Sequence, residues 1–173
     1  KGCFILEPKI HVDDRGVFFE SYHKTNLEQA IGESINFVQD NISVSKKGVL
    51  RGLHFQTGKH AQSKLVQVLK GEVMDVVVDI RKESSTFGQY FKLKMSSENK
   101  KSIFIPKGIA HGFLALTEDV IFTYKCDTHY HKEAEKGIKY NDPDLAIDWE
   151  KDDLNLILSP KDLELPLWKE LQL

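Results

Sequence analysis

Short runs rich in β-branched and aromatic residues recur along the chain, separated by glycine and polar turns. In one of them Phe91, Leu93 and Met95 alternate with Lys92 and Lys94, which is typical of a half-buried strand. Another, EVMDVVVDIR, is almost continuously apolar and predicts a strand covered on both faces. The predicted strands lie in GVFFESY, INFVQDN, GVLRGLHFQ, KLVQVLKG, EVMDVVVDI, YFKLKM, KSIFIPKG and DVIFTYK. Short strands at regular spacing favour an antiparallel sandwich or barrel.

Turn and helix signals fit between these runs. Lys70-Gly71 separates two apolar runs and predicts a tight hairpin turn. Thr25-Asn26-Leu27-Glu28 has the spacing of a capping box, and Gly32 would end that helix after two turns. Ser159-Pro160-Lys161-Asp162 predicts a second helix start, with proline at the first helical position. The fold class is therefore mostly β with short peripheral helices.

Composition narrows the range of functions. We expect residues 1–173 to form a single domain, since that length supports one substantial core. The net charge of −2 supplies no basic surface for nucleic acid. No run of about 18 apolar residues occurs, so no membrane span is predicted. Cys3 and Cys126 lie far apart and form no CxxC, which indicates a reducing, cytoplasmic environment rather than a disulfide scaffold.

The run GVLRGLHFQ places polar groups inside a strand pattern. Leu53 and Phe55 would share one face of that strand, while Gly52, His54 and Gln56 would share the other. The polar face is explained by simple exposure to water. It is also explained by a polar cavity in which His54 is held for proton transfer. The nine residues alone favour exposure.

A second motif points to a particular barrel. Pro106, Gly108 and His111 have the P-x-G-x-x-H spacing found in cupins, which are double-stranded β-helix (jelly-roll) barrels. Metal-binding cupins pair this histidine with an H-x-H motif and a glutamate. Here the first motif reads His54-Phe55-Gln56, and the run that follows carries Lys64 rather than an acid. A divalent ion would lose a ligand and meet a fixed cation, so no metal site is expected.

An ordered series of motifs makes the resemblance specific. The series comprises DDRGVFFESY, FVQDN, RGLHFQ, KLV, GEVMDVVVDIR, STFG, IPKGIAHGF, FTYK and NDPDLAIDW. It resembles the dTDP-4-dehydrorhamnose 3,5-epimerase family over residues 4 to 162. The resemblance implies conversion of dTDP-4-dehydro-6-deoxy-α-D-glucose into dTDP-4-dehydro-β-L-rhamnose in dTDP-L-rhamnose synthesis. No cofactor is implied, because the C4 ketone already acidifies the C–H bonds at C3 and C5.

The resemblance also implies catalytic roles. His54 matches the general base, and Asp162 matches the acceptor that orients it. Tyr124 matches the proton donor on the opposite face, with Tyr130 as its nearest competitor, and Lys64 matches the cation near the developing enolate. Without the family, Asp162 would be taken as a helix-capping acid, Tyr124 as a half-buried strand tyrosine and Lys64 as a solvated lysine.

Binding residues are implied in the same way. Arg51 and His111 match residues of the sugar and diphosphate pocket, and arginine suits diphosphate because its planar fork donates two parallel hydrogen bonds. Arg15 and Glu20 match residues that reach the site of a neighbouring subunit, although a surface ion pair is an alternative. The implied assembly is a homodimer with shared sites. The remaining implied contacts to the nucleotide or substrate are Gln39, Asp40, Asn41, Glu135, Lys161 and Lys64.

Three classes of function remain open on the sequence. The first is a cofactor-free double epimerase. The second is a related enzyme on a dTDP-4-keto-6-deoxy sugar, either a single-carbon epimerase or a 3,4-ketoisomerase. The third is a non-catalytic cupin that binds a nucleotide sugar. The set of His54, Tyr124 and Lys64 favours epimerisation over ketoisomerisation and over simple binding, and leaves open whether one carbon or two is inverted.

Overall fold

The computed structural model describes residues 1–151 and 153–171. The strands of this part of the chain are β1 (Phe4–Leu6), β2 (Ile10–Asp13), β3 (Gly16–Phe19), β4 (Gln39–Ser45), β5 (Leu50–Gln56), β6 (Lys64–Lys70), β7 (Glu72–Asp79), β8 (Tyr90–Ser96), β9 (Ser102–Ile105), β10 (Ile109–Ala115), β11 (Val120–Cys126) and β12 (Glu135–Gly137). The helices are α1 (Lys24–Ile31) and α2 (Pro160–Leu163), with 3-10 turns at Gly58–His60, Lys132–Ala134 and Trp168–Glu170. None of the helices described is long and apolar enough to cross a membrane.

Two five-stranded antiparallel sheets form the body of the molecule. The first sheet has the order β1-β9-β6-β11-β4, and the second has the order β12-β5-β10-β7-β8. Most strands that follow one another from β4 to β12 lie in different sheets, as β5, β6 and β7 do, whereas β7 and β8 are neighbours in the second sheet. This is a jelly-roll, double-stranded β-helix arrangement, and the predicted fold class is confirmed.

An apolar cluster fills part of the space between the sheets. Its rings include Phe113 of β10 and Phe122 of β11, which stack with centroids 4.3 Å apart. The inward-facing residues of β11 change from apolar to polar along the strand. Val120 and Phe122 are buried in the cluster, whereas Tyr124 lies beside it at the wall of a polar cavity. The barrel interior therefore has an apolar part that supports a polar part.

The outer face of the second sheet is covered by the segment that follows β12. Ile138, Leu145 and Trp149 pack there in one cluster with residues of β5, β7 and β10. In β7, Val73 and Val77 face the barrel interior, while Met74, Val76 and Val78 belong to this outer cluster. The prediction that EVMDVVVDIR is covered on both faces is confirmed.

Helix α1 packs on the outer face of the first sheet. Leu27 is 1% exposed and lies against Ile35, Leu65 and Phe104. The helix begins at Lys24, because the His23 side chain accepts the Asn26 backbone N–H at 3.4 Å.

The predicted start of α1 was wrong and its predicted end is confirmed. Thr25 lies inside the first turn, and Glu28 binds Ser34 and the backbone of Ile35 instead of closing a capping box. Gly32 ends the helix in the left-handed conformation, with φ of 78°.

The predicted hairpin at Lys70-Gly71 was wrong. β6 and β7 lie in different sheets and do not pair with each other. Gly71 has φ of +80°, and a Cβ there would lie 2.5 Å from Thr117 Oγ1. The glycine thus forms a tight corner that moves the chain from one sheet to the other, which only a residue without a side chain can occupy at this distance.

β2 and β3 form a separate two-stranded ribbon. Its apolar side chains are poorly covered, with Val12 74% and Phe18 72% exposed. At the turn, Arg15 Nη2 lies 2.6 Å from Asp13 Oδ2, and the Arg15 side chain is 90% exposed. Within one chain, therefore, the ribbon leaves an apolar surface open to solvent.

Candidate active site

The alternation of β5 directs His54 into the barrel. Leu53 and Phe55 are buried in the outer cluster, whereas His54 and Gln56 line an interior cavity. The neighbouring strands place His111 of β10 and Gly137 of β12 opposite His54. The polar face of GVLRGLHFQ therefore lines a cavity, as the second of the two interpretations predicted.

Asp162 binds His54 across the sheet edge. His54 Nε2 lies 2.5 Å from Asp162 Oδ1, and the Asp162 side chain is 6% exposed. Burial alone would raise the pKa of Asp162, but hydrogen bonds from His54 and Ser159 outweigh burial and lower it. Since an ionised carboxylate can only accept, Nε2 carries the hydrogen in the neutral ring, and the lone pair that a base needs is on Nδ1.

The helix-capping role of Asp162 is present as well. Its backbone N–H donates to Ser159 Oγ at 3.1 Å, and Ser159 Oγ donates to Asp162 Oδ2 at 2.8 Å. The predicted cap of α2 at Ser159 is confirmed, with Pro160 at the first helical position. The same short helix therefore fixes the carboxylate that orients His54.

Two cavities share His54, Lys64 and Tyr124 in their walls. The smaller cavity has a volume of about 100 Å³ and the larger cavity about 290 Å³. The other residues of the smaller cavity include Gln39, Asn41, Gln56, Gln62, Cys126, Tyr130 and Glu135. Those of the larger cavity include Ser43, Arg51, His111, Phe113, Ser159, Lys161 and Asp162.

Tyr124 and Lys64 face each other inside the barrel. Lys64 Nζ lies 5.8 Å from the centroid of the Tyr124 ring. Burial raises the pKa of Tyr124, so the phenol keeps its proton at neutral pH. Burial lowers the pKa of Lys64, against the attraction of more distant acidic groups. The cavity wall therefore holds a proton donor beside the amino group of Lys64.

A second histidine–aspartate pair supports the larger cavity. His111 Nε2 lies 2.8 Å from Asp75 Oδ2, and both side chains are buried. Arg51 Nε donates to Ser45 Oγ at 3.3 Å. Asp75 was not predicted from the sequence, although an acid within the apolar run EVMDVVVDI was a signal that could have identified it.

Polar side chains also link up around the smaller cavity. Gln39 Nε2 donates to Asn41 Oδ1 at 3.0 Å, and Tyr130 Oη donates to Glu135 Oε2 at 2.7 Å. Glu135 also forms an ion pair with Lys161. Burial would raise the pKa of Glu135, but these hydrogen bonds lower it. Glu135 is therefore a carboxylate at the cavity wall.

Three residues of the predicted site lie elsewhere in this chain. Asp40 lies on the opposite face of β4 from Gln39 and Asn41, and its carboxylate is 2.9 Å from Lys125 Nζ. The cause is strand alternation, because the middle residue of three consecutive strand residues faces away from the other two. Arg15 lies at the tip of the ribbon, and Glu20 lines a separate cleft of about 460 Å³ beside it.

The glutamine of the first motif has a structural contact. Gln56 Oε1 accepts the His131 backbone N–H at 3.0 Å, and the Gln56 side chain is buried. Within residues 1–151 and 153–171, no group of three or more His, Cys, Asp or Glu side chains is placed to hold a metal ion.

Fold and site together define a class of protein. A jelly-roll barrel encloses an oriented imidazole, a protonated phenol and a half-buried lysine side chain around one cavity, with Arg51 and His111 beside them. Such a set can remove a proton from carbon and return one, while the cation stabilises negative charge on oxygen. The class is a cupin-type isomerase that works by acid–base chemistry.

Comparison with known proteins identifies the family. The sequence model of the family described as dTDP-4-dehydrorhamnose 3,5-epimerase matches residues 1–170. The dTDP-4-dehydrorhamnose 3,5-epimerase of Salmonella typhimurium is 52% identical over 163 residues, covering 94% of this chain and 88% of the relative. The chain therefore belongs to the dTDP-4-dehydrorhamnose 3,5-epimerase family.

Solved structures agree with this assignment. The 3,5-epimerase of Legionella pneumophila in complex with dTDP-4-keto-L-rhamnose is 50% identical, with a TM-score of 0.93 and coverage of 99% of this chain and 90% of that chain. A 3′-monoepimerase from Streptomyces bikiniensis in complex with dTDP-quinovose is 35% identical, with a TM-score of 0.91 and coverage of 96% and 84%. Enzymes named for inversion at one carbon and at two carbons thus share this fold.

Proposed function

We propose that this chain inverts C3 and C5 of dTDP-4-dehydro-6-deoxy-α-D-glucose to give dTDP-4-dehydro-β-L-rhamnose, a step of dTDP-L-rhamnose biosynthesis. The observation that carries the proposal is the His54–Asp162 pair at the wall of a cavity shared with Tyr124 and Lys64. This arrangement supports the assignment of His54 as base, Tyr124 as acid and Lys64 as cation around the sugar ring. The relatives described above support the choice of substrate.

The proposed mechanism uses each of these groups once per inversion. His54 Nδ1 takes the proton from carbon, and the Asp162 carboxylate stabilises the imidazolium that forms. The electron pair moves onto the C4 oxygen, where Lys64 stabilises the enolate. Tyr124 then donates its proton to the opposite face of the same carbon. Exchange with solvent returns a proton to Tyr124 and removes one from His54 before the second carbon reacts.

The rest of the site is assigned to binding. Arg51, His111 and Lys161 line the larger cavity, where Arg51 and Lys161 supply positive charge suited to a diphosphate and His111 supplies a hydrogen-bonding ring. Gln39, Asn41 and Glu135 line the smaller cavity and supply hydrogen-bonding groups suited to a nucleotide. Asp40 lies outside both cavities within this chain and is not assigned a substrate contact.

Inversion at a single carbon is the second candidate function. The similarity to the Streptomyces bikiniensis 3′-monoepimerase favours it, because that enzyme shares the fold over 96% of this chain. Both candidates use the same base and acid, and they differ in how many carbons present a hydrogen to His54.

NMR in D2O with the 4-keto substrate tests the mechanism and separates these candidates. We expect deuterium at both C3 and C5, whereas label at one carbon would select the single epimerase. His54→Asn should lower exchange at both carbons by about a hundred- to ten-thousand-fold, since general-base catalysis is lost. Tyr124→Phe should slow product formation more than exchange. Near-normal exchange in His54→Asn would contradict the mechanism.

A homodimer with shared sites is also proposed. The exposed apolar side chains of the ribbon, Val12 and Phe18, are suited to pairing with a second copy of the chain. Arg15 and Glu20 lie outside the two cavities that His54 lines in their own subunit, and in the proposed dimer they complete the site of a partner. The dimer would be two-fold symmetric.

Mixing two variants tests this assembly. An Arg15→Ala subunit and a His54→Asn subunit should each be nearly inactive alone. A heterodimer of the two holds one site that carries neither substitution, so mixing should restore about one working site per heterodimer. A stable monomer in light scattering, or no recovery despite verified subunit exchange, would contradict the shared site.

We further propose a cytoplasmic location. Cys3 and Cys126 are both free thiols, as expected of a protein in a reducing compartment.

A further inference from the structure

The hydroxyl group of Ser43 is buried and has no hydrogen-bond partner in the part of the chain that the structure describes. Among the side chains of residues 1–151 and 153–171, its Oγ is the only nitrogen or oxygen that is buried without a hydrogen-bond partner. Buried polar groups in proteins are nearly always paired, because an unpaired hydroxyl keeps the full penalty of leaving water. Because Ser43 lines the larger cavity, a ligand bound there can supply the missing partner once the hydroxyl turns towards it.

The neighbouring side chains cannot satisfy Ser43. Phe122 lies opposite it in the paired strand, and the Phe122 ring is stacked on Phe113. The other inward-facing residues of β4 are already engaged. Asn41 accepts from Gln39 at 3.0 Å, and Ser45 accepts from Arg51 at 3.3 Å.

The location of Ser43 indicates that its partner belongs to the reacting sugar. Ser43 lines the larger cavity together with His54, Lys64 and Tyr124, the three groups assigned to the chemistry. The ketone oxygen is assigned to Lys64 and the diphosphate to the arginine side of the cavity. The sugar hydroxyls at C2 and C3 are then the groups left for a neutral hydroxyl partner.

Stereochemistry distinguishes the two hydroxyls. The 3-hydroxyl changes sides when C3 is inverted, so a residue on a fixed strand can hold it only before or only after that step. The 2-hydroxyl keeps its configuration through both inversions. We propose that Ser43 Oγ hydrogen-bonds the 2-hydroxyl of the sugar and holds it while C3 and C5 react, an inference that rests on the proposed function.

This role predicts a particular kinetic pattern. A contact kept unchanged from the bound substrate to the transition state lowers KM without raising kcat. Ser43→Ala should therefore raise KM by about 5- to 30-fold and leave kcat within about twofold. The thermal midpoint of the free enzyme should stay the same or rise, because the substitution removes an unpaired buried group.

Binding of two non-reacting ligands isolates the hydroxyl. By calorimetry, Ser43→Ala should bind dTDP-6-deoxy-D-glucose about 5- to 30-fold more weakly than the unmodified chain does. It should bind the 2-deoxy counterpart as the unmodified chain does. Ser45→Ala is the matched control, since it removes an inward hydroxyl two residues away that contacts Arg51. Any loss in that variant should be the same for both ligands.

The outcomes separate the two proposals. Equal weakening of both ligands by Ser43→Ala, or weakening of neither, overturns the assignment of Ser43 while leaving the epimerase mechanism intact. An increase in KM that is accompanied by an equal fall in kcat also overturns it. If the unmodified chain binds neither ligand and exchanges no hydrogen of the 4-keto substrate, the proposed function itself fails, and this assignment fails with it.

Discussion

Replacing Lys64 by methionine should stabilise the protein and abolish its activity. Lys64 faces the barrel interior at the start of β6, between Ile105 of β9 and Cys126 of β11. Burial lowers its pKa, and Lys64 forms no ion pair with any residue of 1–151 and 153–171. The folded state therefore carries the cost of holding a charge away from water.

The size of both effects follows from this environment. Substitutions that remove such a functional cost commonly add about 0.5 to 2 kcal/mol to the free energy of unfolding. For a chain of 173 residues, each kcal/mol raises the thermal midpoint by about 2 to 4 °C. Loss of the group that stabilises the enolate should lower kcat by about a hundred- to a thousand-fold.

The stability gained by Lys64→Met should change with pH in a direction that can be measured. Because the pKa of Lys64 is lower in the folded state than in the unfolded state, the unfolded chain binds more protons between the two values. Stability of the unmodified chain therefore rises with pH across that window. The advantage of Lys64→Met should be largest at neutral pH and should shrink as the pH rises towards about 10.4, the ordinary value for lysine.

Scanning calorimetry at two pH values, with turnover measured in parallel, is the assay. Lys92→Met is the matched control, because Lys92 forms ion pairs of 2.7 Å with Asp148 and Glu150 that raise its pKa. That variant should lose stability and keep its turnover. A lower thermal midpoint for Lys64→Met at neutral pH, or retention of turnover, would refute the reasoning.

Two further substitutions test the aspartates that bind His54 and His111, and a labelling experiment tests the two thiols. Asp162→Asn removes the charged acceptor of His54 and should lower kcat by about 10- to 100-fold in steady-state assays, whereas an unchanged kcat would show that the carboxylate is not needed. Asp75 binds His111, which is assigned to substrate binding. Asp75→Asn should therefore raise KM by about tenfold or more, with a smaller change in kcat. An unchanged KM would contradict that assignment. Burial raises the pKa of Cys3 and Cys126 to about 11, so Ellman's reagent at pH 8 should react slowly with the native protein and rapidly in guanidinium. Rapid reaction of both thiols in the native state would show that neither is shielded.

Local patterns predicted the faces of the strands well. The alternation around His54 and the continuous apolar run of β7 both depend on nearest neighbours along one strand, and side chains there have a fixed two-residue period. The same rule shows why the QDN segment was assigned too broadly. Three consecutive strand residues cannot all face one cavity, so Asp40 turns to Lys125.

Pairing between strands was harder to predict. The sequence near Gly71 has the form of a hairpin turn, but which strands pair is decided by long-range packing of two sheets. β10 (Ile109–Ala115) was interpreted only as part of a motif, because the run IPKGIAHGF that leads into it contains a proline and two glycines. Asp75 was missed for a related reason, since its partner His111 lies 36 residues away.

The contact between His54 and Asp162 has a consequence for biosynthesis of the enzyme. The two residues are 108 positions apart, and the segment that delivers Asp162 also covers the outer face of the second sheet. During synthesis the apolar outer face of the second sheet therefore stays exposed until this late segment has been made. Chaperones or proteases can act on the chain while that face is exposed. In the proposed mechanism Asp162 orients His54 only after that segment docks, so a chain that ends before it lacks an oriented base. Turnover is then expected only from chains in which this segment has reached its place beside β5.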